Sequence, residues 1–240
     1  MIKVETSLQN QFVKDLISLK KSSKKREENR FLIEGEDLIE MAFITNQLDA
    51  IITIQESNKY DLIDQIVVTK PIIEKLSNNK SPAKMIGIAH YNQREIEGKH
   101  IIFLDNVQDP GNVGTIIRTA LSFSYDGVVL GNKSASIYNE KVIQSSKGAV
   151  FKLPIKENIS LENLKNQKFQ IISTSLKNAI NYQELTLNDK FCLVFGNEGQ
   201  GISEETLKLS DKLIKIEMSN IDSLNVAVAA GIILNHYRGE

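Results

Sequence analysis

Leu193-Val-Phe-Gly-Asn-Glu-Gly-Gln-Gly-Ile-Ser203 reads as the end of an apolar strand, a loop holding Gly196, Gly199 and Gly201, and a helix opened by Ser203. A buried strand that feeds a glycine loop and then a helix N-terminus lets the backbone come close to a bound ligand. One acid, Glu198, stands in the loop. The spacing GxxGxG is neither the dinucleotide fingerprint GxGxxG nor the phosphate loop GxxxxGK followed by Ser or Thr. It points to a nucleotide-like ligand held in another way.

The same alternation runs outward from this stretch. Apolar runs at 101–104, 127–130, 150–153, 169–173, 191–195 and 213–216 read as strands. Helical patterns at 113–123, 138–146, 161–166 and 203–209 fall between them, and a last helix covers 224–237. Near-continuous apolar strands alternating with helices predict an α/β fold with a mainly parallel sheet, covered by helices on both faces. Residues 1–92 read as a separate small α/β module. It has helices at 10–19, 36–45, 58–65 and 72–76, the last opened by Pro71, and strands at 31–34, 50–54, 66–69 and 86–91. Residues 77–82 are rich in turn formers. The polar run 93–99 reads as a linker, which leaves 100–240 as the second domain.

The 29 Lys and Arg nearly balance the 30 Asp and Glu, for a net charge of −1. That argues against a surface coated in basic charge for indiscriminate nucleic-acid binding. The charge is uneven, however. Lys20, Lys21, Lys24, Lys25 and Arg26 fall close together and Arg30 follows. Such a run is either a solvated helix end or a patch that meets phosphates. No apolar run approaches the ~20 residues of a membrane span, and the first residues lack a signal-peptide pattern. Cys192 lies inside an apolar strand and reads as a core residue rather than a nucleophile. His90, His100 and His236 have no metal-binding spacing, so no metal is expected. These features together suggest a reducing, cytoplasmic compartment.

Three loops, each after an apolar strand, carry candidate chemistry. The first is Asp105-Asn-Val-Gln-Asp-Pro-Gly-Asn-Val-Gly114, leading into a helix with Asn112 at its start and Arg118 one turn inside. Asn112 suits a helix cap or turn. A cation near a helix N-terminus is disfavoured by the dipole, so Arg118 reads as functional, its planar fork gripping a phosphate. The second loop holds Glu198, which suits a first helical turn on dipole grounds alone. The third precedes the last helix, with Asp222 or Ser223 as its cap and Asn225 in its first turn. Asn225 is a poor helix former there, so its amide should have a partner. Ligands of parallel sheets bind beyond the carboxyl ends of the strands, where all three loops can converge.

In order, Asn112-Val-Gly-Thr-Ile-Ile-Arg118, Gly196-Asn-Glu-Gly-Gln-Gly201 and Ser223-Leu-Asn-Val-Ala-Val-Ala-Ala230 resemble the three motifs of the SpoU (TrmH-like) RNA 2′-O-ribose methyltransferases of the SPOUT superfamily. The first half is similar to that family's L30e-like substrate-binding domain through Arg30-Phe-Leu-Ile-Glu-Gly35, Val68-Thr-Lys-Pro71 and Ile86-Gly-Ile-Ala89. The resemblance implies a deep trefoil knot in the second domain, against the general rarity of knots. It implies S-adenosylmethionine as cofactor, held near Gly196, Gly201, Ile216 and Leu224, with Met218 alongside and Thr174 at the crevice edge. Asn112, Arg118, Glu198, Ser223 and Asn225 become the catalytic set, with Glu198 pairing with Arg118 or holding the loop. A homodimer completes the site across its interface.

The same resemblance moves the basic run Lys20 to Arg26, with Arg30, toward contact with structured RNA, most readily 23S rRNA. One departure stands out. Ile216-Glu-Met-Ser-Asn220 replaces the family's usual Ile-Pro-Met-x-Gly and is one residue short. That departure leaves room for a catalytically silent RNA-binding protein of the same fold. A tRNA methyltransferase is a further alternative. The absence of Walker and dinucleotide spacings disfavours an unrelated kinase or dehydrogenase.

Overall fold

The computed structural model describes residues 1–78 and 83–238. The turn-rich stretch expected at 77–82 lies outside them from residue 79 on. The chain divides into two compact units, Met1–Asn92 and Gln93–Glu240.

The first unit runs β1 (Ile2–Glu5), α1 (Gln11–Ser18), α2 (Ser22–Glu28), β2 (Arg30–Glu34), α3 (Glu36–Ile44), β3 (Leu48–Thr53), a 3-10 turn (Asn58–Tyr60), β4 (Asp64–Val68), α4 (Lys70–Leu76) and β5 (Met85–His90). The strands form one sheet in the order β1-β4-β3-β5-β2, with β5 antiparallel to both its neighbours and the other pairs parallel. Asn10 opens α1 by accepting the Phe12 amide at 2.8 Å, and the helix turns Val13 and Leu16 onto the sheet. Ile52, Ile66, Ile72, Leu76, Ile86 and Ile88 complete that core.

Two sequence expectations change here. Residues 58–65 make a single turn rather than a helix, because Asp64 and Gln65 already belong to β4, where Gln65 is buried. The opening residues, not read as a strand, pair with β4 from Ile2↔Gln65 to Glu5↔Val68.

The second unit runs β6 (His100–Asp105), α5 (Pro110–Ser122), β7 (Gly127–Leu130), α6 (Glu140–Ser146), a 3-10 turn (Ala149–Phe151), β8 (Ile155–Glu157), α7 (Leu161–Asn166), β9 (Gln170–Thr174), β10 (Ile180–Asn181), a 3-10 turn (Tyr182–Glu184), β11 (Phe191–Gly196), α8 (Glu204–Leu209), β12 (Lys212–Lys215) and α9 (Val226–His236). Every pairing in this sheet is parallel, in the order β10-β12-β9-β11-β6-β7-β8. Every residue of β11 is buried, as a strand covered on both faces must be. Cys192, its second residue, is fully buried, and burial holds its thiol far above the usual range.

The apolar run 150–153 is not a strand. Lys147 and Gly148 take left-handed backbone in succession, the chain makes a turn, and pairing resumes only after Pro154. A short apolar run buried in a turn has no periodicity to tell it from a strand. Residues 93–99 have no regular structure but are held to this unit: Arg94 Nη2 donates to the Phe151 carbonyl at 2.8 Å, and Ile96 packs on the core around Ile101 and Phe103.

Candidate active site

β6 and β11 lie side by side at the middle of the sheet, where the strand order reverses: the chain moves outward from β6 to β8, then returns beyond β11. A crevice at the carboxyl ends of the strands is expected at such a point. A cleft of about 680 Å³ opens past the ends of β9, β11 and β12, within the size range of cofactor sites. Its walls are the segments after β9 (Thr174 to Asn178) and β11 (Gly196 to Ile202), the end of β12 with Ile216 and Met218, and the approach to α9 (Asp222, Ser223, Leu224). Thr174, Gly196, Gly201, Ile216, Met218 and Leu224, the six positions singled out for cofactor binding, all line this one cleft.

The glycine loop is shaped by backbone crossing. Asn197 and Gly201 exchange two backbone hydrogen bonds, both 2.9 Å, and Gly201 sits at φ +72°, where a side chain is disfavoured. A Cβ on Gly196 would fall 2.4 Å from the Gly201 carbonyl carbon and 2.5 Å from the Ile202 nitrogen. Only glycine lets the strand end against its own returning loop. Asn197 fastens the turn: its Oδ1 accepts from Gly199 and Gln200 at 2.9 and 3.0 Å, and its Nδ2 donates to the Asn106 carbonyl at 2.9 Å. Asp105 Oδ2 accepts the Ser203 amide at 2.7 Å, so the loops after β6 and β11 are stitched together. Asn197 escaped the sequence reading, although Asn beside a glycine loop is a turn signal.

A polar chain crosses the lip of the cleft. Glu198 Oε1 accepts from Asn112 Nδ2 at 2.9 Å, and Asn225 Nδ2 donates to Asn112 Oδ1 at 3.0 Å. Three residues from three separate motifs thus meet side chain to side chain. Asn225 is the cap of α9, its Oδ1 accepting from Ala227 and Val228 at 2.9 and 3.3 Å. This corrects the expectation that Asp222 or Ser223 caps the helix with Asn225 inside it. Asn225 has the extended backbone of a cap, while Asp222 and Ser223 line the cleft. Asn112 does not cap α5 either. Asp109 does, accepting the Asn112 amide at 2.9 Å, ahead of Pro110 in the first turn, where proline is favoured.

Arg118 stands apart. It is exposed on α5, does not line the cleft, and its side chain makes no polar contact among the described residues. The expected pairing with Glu198 is therefore not formed; Asn112 takes that carboxylate instead. Asp109 is held below the usual carboxylate range, first by the hydrogen bond from Lys141 and next by the Asn112 amide. The unusual segment before α9 accommodates its missing glycine at Asn220, which adopts φ +67°, a conformation asparagine tolerates better than most residues.

The basic run is no uniform patch. Only Lys24, Lys25 and Arg26 lie within α2, and Lys25 is only 2% exposed. Lys20 Nζ donates to the Ser77 carbonyl at 2.8 Å. Lys24 pairs with Glu28 at 2.8 Å, and Arg30 lies 3.8 Å from Asp49. Lys21 and Arg26 are exposed. The expectation of a phosphate contact from Lys25 is corrected by its burial. One face of the helix has to pack, and the spacing of the run puts a lysine on that face.

The SpoU rRNA Methylase family pattern matches residues 99–235, and an MRM3-like substrate binding domain matches residues 10–87. The 23S rRNA (guanosine(2553)-2′-O)-methyltransferase RlmP of Bacillus subtilis (strain 168) is 32% identical over 243 residues, spanning 97% of this chain and 98% of its own. An AdoMet-bound rRNA methyltransferase from Sinorhizobium meliloti superposes with a TM-score of 0.85 at 26% identity, covering 98% of this chain and 97% of that one. The A. aeolicus TrmH/SpoU tRNA modifying enzyme reaches a TM-score of 0.50 at 34% identity, covering 59% of this chain and 75% of that one. With a family pattern across the second unit and a relative matched almost end to end, the chain belongs to the SpoU rRNA Methylase family.

Proposed function

We propose that this protein methylates a ribose 2′-hydroxyl of 23S rRNA, using S-adenosylmethionine. The observation that carries the reading is the meeting of Glu198, Asn112 and Asn225 at the lip of the cleft. The cleft suits the cofactor by its size, by apolar walls from Phe195, Leu213, Ile214 and Leu224, and by the space a Cβ on Gly196 would fill. Backbone groups near Gly196, Gly201, Ile216 and Leu224 would hold it, with Met218 and Thr174 at the edges.

When bound, S-adenosylmethionine supplies a methyl group on a positive sulfonium. Transfer would form the oxygen–methyl bond as the methyl–sulfur bond breaks, leaving a neutral thioether, with the hydroxyl proton passing to water or a substrate phosphate. Asn112 and Asn225 orient the ribose for in-line attack, and positioning of this kind is a large part of such catalysis. Glu198 keeps the Asn112 amide turned, and Ser223 supports the hydroxyl. Arg118 anchors a substrate phosphate and the hydroxyl. Its guanidinium stays protonated, so proton acceptance is its lesser role.

The protein acts as a homodimer. Exposed Val228 and Ile232 on α9, and Arg118 exposed outside its own cleft, support a partner that brings Arg118 to the neighbouring site. The first unit is read as the substrate-binding domain and the second as the catalytic domain, with the trefoil knot in the latter. Ribosomal RNA is favoured because the RlmP correspondence runs the full length of the chain, whereas the tRNA modifying enzyme matches only 59% of it. The setting is the cytoplasm; no helix among the described residues is long and apolar enough to cross a membrane.

The test is to map 2′-O-methylation in ribosomal RNA from cells with and without the gene, starting at the 23S nucleotide equivalent to the RlmP target. Loss of one site is expected. An unchanged map, together with no calorimetric binding of S-adenosylmethionine, would instead support the silent RNA-binding protein.

A further inference from the structure

α6 lies outside all three motifs, yet it grips the start of α5 at several points. Lys141 Nζ donates to Asp109 Oδ2 at 3.0 Å, while Asp109 Oδ1 holds the Asn112 amide at 2.9 Å. Ser145 Oγ donates to the Lys141 carbonyl one turn back and lies 3.3 Å from the Pro110 carbonyl. The helices touch closely at Gly114, where a Cβ would fall 2.1 Å from Ser145 Oγ and 2.5 Å from the Val142 carbonyl oxygen. A Cβ on Gly111 would fall 2.8 Å from Asp109 Oδ1, 3.0 Å from Lys141 Cε and 3.3 Å from Lys141 Nζ. Gly111 therefore leaves the space in which the Asp109–Lys141 pair forms.

The Asn112 side chain is held at its far end by Glu198 and Asn225. Its backbone end is held by Asp109, and Asp109 by Lys141. We infer that Lys141 is a positioning residue for methyl transfer: by fixing the Asp109 carboxylate from α6, it sets where Asn112 presents its amide. The inference rests on the methyltransferase reading above. An exposed ion pair of this kind contributes little to folding, so selection for stability is a poor reason for the arrangement. Small displacements of a positioning group, by contrast, cost rate directly.

Lys141→Arg set against Lys141→Met separates a positioning role from a merely structural one, and the same contact can be perturbed from the other side at Gly111. Its backbone is free of left-handed strain and lies in the first turn of α5, where alanine is a better helix former than glycine. A Cβ there also meets Asp109 Oδ1, the cap oxygen, at 2.8 Å, so Gly111→Ala disturbs the cap and Lys141 together and should lower the melting temperature slightly as well as the rate.

The experiment measures single-turnover methylation, RNA KM and calorimetric affinity for S-adenosylmethionine in wild type, Lys141→Met, Lys141→Arg, Gly111→Ala and the Lys141→Met/Gly111→Ala double variant. Lys141→Met and Gly111→Ala are each expected to lower kcat about tenfold, with RNA KM and cofactor affinity unchanged. Lys141→Arg should restore most of the rate, and the double variant should be no worse than either single one. Wild-type kcat in Lys141→Met would overturn the inference. So would a rise in RNA KM without a fall in kcat, which would make Gly111 a point of RNA approach. An inactive wild-type protein would instead strike the methyltransferase reading itself.

Discussion

Asn225 divides its amide between two tasks. The oxygen serves the helix, accepting from Ala227 and Val228, while the nitrogen reaches across to Asn112. A serine at this position keeps a cap but not the donor. Asn225→Ser should therefore unfold within ~0.5 kcal/mol of wild type, because one good cap replaces another, yet lose most of its methylation. Asn225→Ala should lose the activity and about 1 kcal/mol of stability as well. Chemical denaturation beside a methylation assay reads both. Arg118→Ala should abolish methylation while calorimetric cofactor binding survives, because Arg118 does not line the cleft. Arg118→Lys should not rescue it, since an ammonium lacks the planar fork. Full activity in either Arg118 variant would remove that residue from the mechanism. Asn225 does have a partner, but the expectation of one rested on a place inside the helix, whereas the residue is the cap. Asp222, Ser223 and Asn225 are all cap formers, so residue type alone does not select among them.

At the scale of the element, α5 begins on a charged cap. Asp109 has a folded pKa below its unfolded one, owing to Lys141 and then the Asn112 amide. A group shifted in this direction stabilises the fold above its unfolded pKa, and the contribution is lost as pH falls through the carboxylate range. Asp109→Asn keeps a cap and removes the titration. Its stability should therefore decline less than that of wild type between about pH 5 and pH 3, as read by thermal melts across that range. The effect should be small, because both members of the pair are largely solvated. The regular elements of the second unit were mostly legible, since apolar strands and amphipathic helices carry opposite periodicities. The misreading at 150–153 came where periodicity is silent: Val150, Phe151 and Leu153 are all buried, but in a turn. The β10 strand, only two residues long, is beneath what any pattern can register.

Across the whole molecule the near-zero net charge conceals local sorting. α2 shows it most clearly, with Lys25 inside and Lys21 and Arg26 outside. Lys21→Ala should leave the melting temperature unchanged but flatten the salt dependence of RNA binding. The log–log slope should shrink by roughly 0.7–0.9 for every phosphate that is no longer neutralised. Lys25→Ala should do the reverse, lowering stability by about 1–3 kcal/mol because a side chain only 2% exposed is lost, and sparing the slope. Filter binding over a salt series, beside thermal melts, distinguishes them; identical slopes throughout would detach α2 from RNA. The sequence showed where the charge was dense but not which lysine points inward, because that depends on a sheet formed by residues far away.

β11 is the keystone of its sheet, paired on one side with β6 and on the other with β9, yet it is among the last strands to be synthesised. A nascent chain that has passed Thr174 but not yet reached Phe191 thus presents two raw edges with nothing between them. Such edges are templates for stray pairing. During translation, then, this protein should be most in need of a chaperone over the interval just before its glycine loop leaves the ribosome.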